Sequence, residues 1–261
     1  MKFKIIPVLL LTVMSGFSSR LFSQSKNSYF YEIKVYHLAN QEKEAIVDDY
    51  LKKAFLPALN RNGVKAVGVF KPIGNDTSQD RRIYVLIPFK SAKQYADMSD
   101  RLEKDQQHAE SGKLYLDAAY NKAPYIRMES IFIKAFANMP NLQIPALKNE
   151  PQKRVYELRS YEGPTEKGYL RKVHMFNQGG EISLFKRLGF NAVFYGSVIS
   201  GSRMPNLMYM TSFEDIASRE KHWDAFRTDA EWKKLSAMDF YKNTVSKSDI
   251  ILLHPTEYSG I

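Results

Sequence analysis

The chain has 261 residues, a net charge of +10 and 44% hydrophobic residues, enough for one large core or two small ones. It has no cysteine, which excludes thiol catalysis, thiolate metal centres and disulfides. Its basic residues are interleaved with acids, as across Asp80–Arg82 and Asp100–Lys104, so the charge reads as a solvated surface and no nucleic-acid partner is expected.

Residues 1–23 read as a signal peptide. Lys2 and Lys4 form a basic start, Ile5–Met14 an apolar run too short to span a bilayer, and small residues follow up to Ser23. The expectation is an exported protein, periplasmic or extracellular, cleaved near Gln24, with no integral membrane segment after leader removal. A mitochondrial presequence is the rival, but such segments are amphipathic and Arg-rich, and this run is apolar on all sides.

The elements follow in order. Tyr29–Tyr36 predicts a strand from its alternation and its aromatic and β-branched content. Glu42–Asn62 predicts a helix, kinked or shortened at Pro57, with Gly63 as its C-cap. Strands are expected over Val64–Phe70 and Arg82–Phe89, and helices over Ala92–Gln106 (capped by Ser91) and about Ala109–Tyr120. A strand over Tyr125–Phe136 closes this half, and residues 140–152 read as a Pro-rich linker.

The order then begins again. Arg154–Tyr161 predicts a strand, Thr165–Leu188 a helix interrupted at Gly179–Gly180, and Phe190–Ile199 and Asn206–Phe213 two strands joined by a turn. A helix is expected over about Asp215–Phe226 and another from a capping box at Thr228–Glu231 to about Asn243, before a closing strand at Ser248–His254.

Three pieces of the first half recur in the second at near-constant separation: Tyr31–Tyr36 in Tyr156–Tyr161, Arg61–Val67 in Arg187–Val193, and Tyr84–Phe89 in Met208–Phe213. Three ordered matches indicate duplication. Each half has the β-α-β-β-α-β plan, so the fold class is α+β: two tandem ferredoxin-like repeats, over residues 28–139 and 153–258. A ferredoxin-like sheet covers one face with helices and leaves the other to a partner. Two halves in one chain can cover each other, with a cavity between the paired sheets.

At Tyr156–Tyr161 and Met204–Phe213 the chain resembles the NIPSNAP family, and His222–Arg227, Glu231–Lys233 and Leu253–Ser259 extend the resemblance. It is close over about Val155–Ser259 and weaker over Phe30–Phe136. The resemblance implies a dimeric α/β-barrel-type fold, whose relatives include cofactor-free monooxygenases, isomerases and haem enzymes. The family itself has no settled activity, so it implies no reaction for this chain.

Glu157, Arg159 and Tyr161 alternate along one strand and share a sheet face, as do Glu32, Lys34 and Tyr36 in the first half. Helices are expected on the more apolar face, which leaves the polar one to the space between the sheets. Glu157, Arg159, Tyr161, Glu32 and Tyr36 are therefore the candidate ligand-binding residues, for a small organic molecule or for proton transfer with Glu157 or Tyr161. The competing reading is a buried Glu–Arg pair that fixes register.

The five histidines show no ligand spacing. His174 and His222 are the helical candidates for a haem ligand, but neither metal nor cofactor is expected. Trp223 and Trp232 read as core. The functional expectation is an exported small-molecule binder; a cofactor-free monooxygenase or isomerase and a protein-interaction module are the alternatives, and a homo-oligomer is the remaining partner expectation.

Overall fold

The computed structural model describes residues 28–261, so the expected leader at 1–23 lies outside the described residues. Eight strands form the frame: β1 (Phe30–Leu38), β2 (Gly68–Pro72), β3 (Arg81–Phe89), β4 (Arg127–Ala135), β5 (Val155–Glu162), β6 (Asn191–Ser200), β7 (Asn206–Phe213) and β8 (Lys247–Pro255). They close into one antiparallel barrel in the order β1-β3-β2-β8-β5-β7-β6-β4. Each half contributes a four-stranded sheet, and the two meet along the β2–β8 and β4–β6 seams. The second strand of each half thus pairs with the fourth of the other, as a two-fold relation between duplicated halves requires. At the β4–β6 seam, a Cβ on Gly196 would collide with Ile133 Cγ2 and lie 2.7 Å from the Lys134 carbonyl, so only glycine admits this approach.

Closure encloses the inner face of every strand, while the outer faces of β4 and β8 stay partly exposed, as at Lys134 and Ile250. Tyr31, Phe70, Tyr156 and Phe194 fill one end of the interior, with Leu142, Leu147 and Ile261 packed against them. The helices lie outside: α1 (Gln41–Tyr50), α2 (Leu56–Arg61), α3 (Ala92–Ala96), α4 (Met98–Glu103), α5 (Gln106–Ser111) and α6 (Lys113–Leu116) over the first half. Over the second lie α7 (Glu166–Asn177), α8 (Glu181–Arg187), α9 (Ile216–Thr228) and α10 (Ala230–Ala237). Strand β7 is buried on both faces along its whole length.

The duplication is visible atom by atom. Gly63 and Gly189 both take left-handed φ, at 80° and 77°. Each ends a helix with the same paired bonds: Val64 N to Leu59 O and Gly63 N to Asn60 O in one, Phe190 N to Phe185 O and Gly189 N to Lys186 O in the other. This Schellman arrangement needs a residue without a Cβ penalty at its left-handed position.

Several local expectations are corrected. The helix at 42–62 is relieved by a π-turn at Leu51–Phe55, in which the Leu56 N–H reaches Leu51 O. Pro57 has no N–H and its ring would crowd the carbonyl four residues back, so the widened turn accommodates it. The strand expected from Val64 begins only at Gly68, because Ala66 turns the chain with φ of 55°. The Ala92–Gln106 helix breaks after Ala96, and α10 stops at Ala237. Its N-cap is Asp229, whose carboxylate accepts from Glu231 N and Trp232 N, whereas the Thr228 hydroxyl turns back to the Asp224 carbonyl.

Candidate functional site

Strand β5 points Tyr156 and Leu158 into the barrel and Glu157, Arg159 and Tyr161 outward beneath α7, α8 and α9. The expected orientation is therefore reversed: the polar triplet lies between sheet and helices, not between the two sheets. In β5 closure buries the inner face and the helices bury the outer one, and these helices bring charges of their own. Arg219 and Trp223 from α9 donate to Glu157 Oε2 at 2.6 and 2.8 Å, while Arg159 Nε donates to Oε1. Glu157 is 0% exposed. A carboxylate so enclosed and holding three donors has no face left for a ligand; it anchors α9 to β5, as in the competing reading of a buried Glu–Arg pair.

Arg159 is differently placed. Its guanidinium stacks 3.8 Å above the Trp223 ring and its Nη1 donates to the Tyr161 hydroxyl at 2.9 Å. Among the described residues its Nη2 has no acceptor. The Tyr161 hydroxyl also meets the Tyr209 hydroxyl at 2.9 Å. Burial, then the neighbouring Tyr161, pushes the Tyr209 pKa well above the ordinary phenol value, so Tyr209 stays neutral.

These groups open onto a cleft of about 370 Å³, whose lining includes Arg159, Tyr161, Lys172, Glu181, Trp223 and Trp232. Lys172 Nζ donates to Glu181 Oε2 at 2.8 Å and lies 4.9 Å from the Phe176 ring centre. The cleft thus combines two largely buried cations, one neutralised by Glu181 and the other by Glu157, with aromatic walls. It can hold a planar apolar group and an anionic oxygen together.

The first half lacks this chemistry. Glu32 faces outward like Glu157 and accepts from Ser130 Oγ at 2.6 Å and Lys34 Nζ at 2.9 Å. Tyr36 packs edge-on against Tyr115 and Tyr125, and burial followed by the Tyr115 neighbour raises its pKa well above the usual range. The cleft there is smaller, about 250 Å³, and its lining includes Phe55, Tyr95 and Met98. Neither Glu32 nor Tyr36 lies between the sheets, and Tyr36 does not line this cleft.

The sequence reading missed Lys172, Glu181 and Arg219. Each stands on an otherwise apolar helical stripe: Tyr169-Lys172-Val173-Phe176, Glu181-Leu184-Phe185-Leu188 and Ile216-Arg219-Trp223-Phe226. A charge at a core position of such a stripe is the signal that finds them. Trp223 is core as expected, yet its indole N–H also serves Glu157. Of the two haem-ligand candidates, His174 Nδ1 meets the Tyr241 hydroxyl at 2.9 Å and His222 Nδ1 donates to the Ser218 carbonyl at 2.7 Å. Among the described residues no three His, Asp or Glu side chains converge as a metal-ligand set, and no helix is long and apolar enough to cross a membrane.

The NIPSNAP family profile matches residues 156–260, the span that carries the cleft. Residues 156–260 form a NIPSNAP domain. No curated protein matches the chain. Among solved structures, a candidate monooxygenase from Lactobacillus acidophilus NCFM is similar at 11% identity and a TM-score of 0.55, over 87% of this chain and 94% of its own. One from Fusobacterium nucleatum subsp. nucleatum ATCC 25586 is similar at 10% and 0.56, over 88% and 93%. An anthrone oxidase-like protein is similar at 11% and 0.55, over 88% and 92%. At such identities the likeness is one of fold: the NIPSNAP domain and the half before it together make the barrel those proteins share.

Proposed function

We propose that the NIPSNAP domain binds a small aromatic carboxylate or phenolate in the cleft between β5, β7 and the second-half helices. The observation that carries this is Arg159: held by Glu157, stacked on Trp223, and with Nη2 left to donate into an aromatic-walled space. Its position is fixed before any ligand arrives, so little ordering opposes binding. Export of the chain, inferred from its first 23 residues, would place this binding outside the cytoplasm.

The chain has two tryptophans, Trp223 and Trp232, and both line the cleft, so intrinsic fluorescence reports its occupancy. Titration with 4-hydroxybenzoate is expected to give a saturable fluorescence change. Arg159→Met keeps Glu157 paired with Arg219 and Trp223, so it should fold, and it should weaken binding by about 10–100-fold through the lost charge-assisted hydrogen bond. Equal affinity in wild type and Arg159→Met would refute the assignment.

A second reading is turnover of such a ligand by a cofactor-free oxygenase or isomerase. The similarity to candidate monooxygenases and an anthrone oxidase-like protein supports it, as does the Tyr161 hydroxyl between Arg159 and Tyr209. Tyr161, rather than the enclosed Glu157, is then the proton-handling group. Oxygen consumption or rearrangement with phenolic substrates, abolished in Tyr161→Phe, would establish it; a panel bound but returned unchanged would leave binding alone.

A further inference from the structure

The barrel has a second cavity, at the end opposite Tyr31 and Tyr156. It has a volume of about 450 Å³ and reaches down to an aliphatic floor of Ile33, Val35, Leu158, Val198 and Met208. The aromatic plug closes the far end, so the cavity is blind. An eight-stranded barrel has an interior just wide enough for its own side chains or one small ligand.

The mouth is polar. Arg82, Arg127, Arg203 and Lys247 line it, against Glu129 and Asp249. Arg127 pairs with Glu129, and Arg203 with Asp249; Arg82 pairs with Asp80, which lies outside the lining. Between rim and floor stands Tyr84. Its hydroxyl accepts from Arg82 Nη1 at 3.3 Å, and among the described residues nothing accepts its proton. Burial raises its pKa despite the opposing pull of Arg82, so the phenol remains a donor at neutral pH.

We propose that this open end is a second ligand site, separate from the outer cleft, for an unbranched amphiphilic carboxylate. The aliphatic chain enters the barrel and the carboxylate accepts from Tyr84 and Arg82. A narrow shaft walled by Ile, Val, Leu and Met suits a flexible chain, whereas the outer cleft, walled by Trp and Phe, suits a ring. The cation excess at the rim selects an anionic head over a cationic one.

Decanoate, used below its micellar concentration, is the probe, and calorimetry on the whole chain is the measurement. One saturable site is expected. Tyr84→Phe keeps the packing and removes the donor, so it should weaken decanoate about tenfold with an unchanged melting temperature. Leu158→Phe, which fills the shaft, should abolish binding, with circular dichroism confirming its fold. Arg159→Met should leave decanoate affinity unchanged, and decanoate should leave tryptophan fluorescence unchanged. The proposal is overturned if decanoate shows no saturable heat, if Tyr84→Phe binds as tightly as wild type, or if Arg159→Met loses binding, which would place the fatty acid in the outer cleft. The first two of these results leave aromatic carboxylate binding in the outer cleft untouched.

Discussion

Lys172 Nζ lies 2.8 Å from Glu181 Oε2 across the Gly179–Gly180 break between α7 and α8, with both side chains almost wholly buried. Removing one member leaves a buried charge alone, whereas replacing both by apolar groups does not. Lys172→Met is therefore expected to cost about 3–5 kcal/mol, or roughly 10 °C of melting temperature. The double variant Lys172→Met/Glu181→Leu should recover most of that loss. Thermal unfolding of the single and double variants checks this; a double variant no more stable than the single would contradict it.

Glu157 is the deeper anchor, because two arginines and an indole depend on it. Glu157→Ala should destabilise by at least as much as Lys172→Met. Glu157→Gln, which keeps one acceptor oxygen, should cost less. If Glu157 were a ligand-facing base, Glu157→Gln would abolish binding at full stability; the expected outcome is lowered stability with residual 4-hydroxybenzoate binding.

Tyr195 carries a buried hydroxyl without a partner among the described residues, and burial, then the Glu181 charge, raises its pKa. Tyr31 and Tyr209 are raised chiefly by burial as well. The unfolded phenols ionise near pH 10. Above that pH the unfolded chain has lost protons that the folded chain retains, so stability is full below about pH 10 and falls as pH rises further. Melting temperatures measured from about pH 8 to about pH 11 should show this fall, and Tyr195→Phe should reduce its slope while leaving neutral-pH stability equal or higher.

The strands and the duplication were legible because alternation and repeat spacing survive in any register. The orientation of the polar triplet was not. In an open sheet the more apolar face takes the helices, but in β5 closure buries one face and helices the other, and Tyr156 and Leu158 are as thoroughly enclosed as Glu157. What selects the outer position for Glu157 is a pair of donors from α9, more than sixty residues away in sequence. Arg219 and Lys172 become visible only when charges are sought on apolar helical stripes. Arg159 and Tyr161 do meet at one cleft, on the opposite side of the sheet from the one expected. Pro57 signalled a disturbed helix, but the π-turn that absorbs it depends on local backbone geometry.

Export is tested at the amino terminus. Protein recovered from its native host is expected to begin near Gln24, as determined by N-terminal sequencing. An intact Met1 form in the cytoplasm would rule export out.

The most direct test of the outer cleft is the pair of indole N–H resonances from Trp223 and Trp232 in a nitrogen-15 spectrum. The Trp223 indole donates to Glu157 beneath the Arg159 guanidinium, and Trp232 lines the same cleft. Titration with 4-hydroxybenzoate should move both resonances along one saturating curve in wild type and leave both nearly still in Arg159→Met at the same concentrations. Two indole resonances unmoved at millimolar 4-hydroxybenzoate, or moved equally in Arg159→Met, would contradict the assignment of this cleft as the binding site.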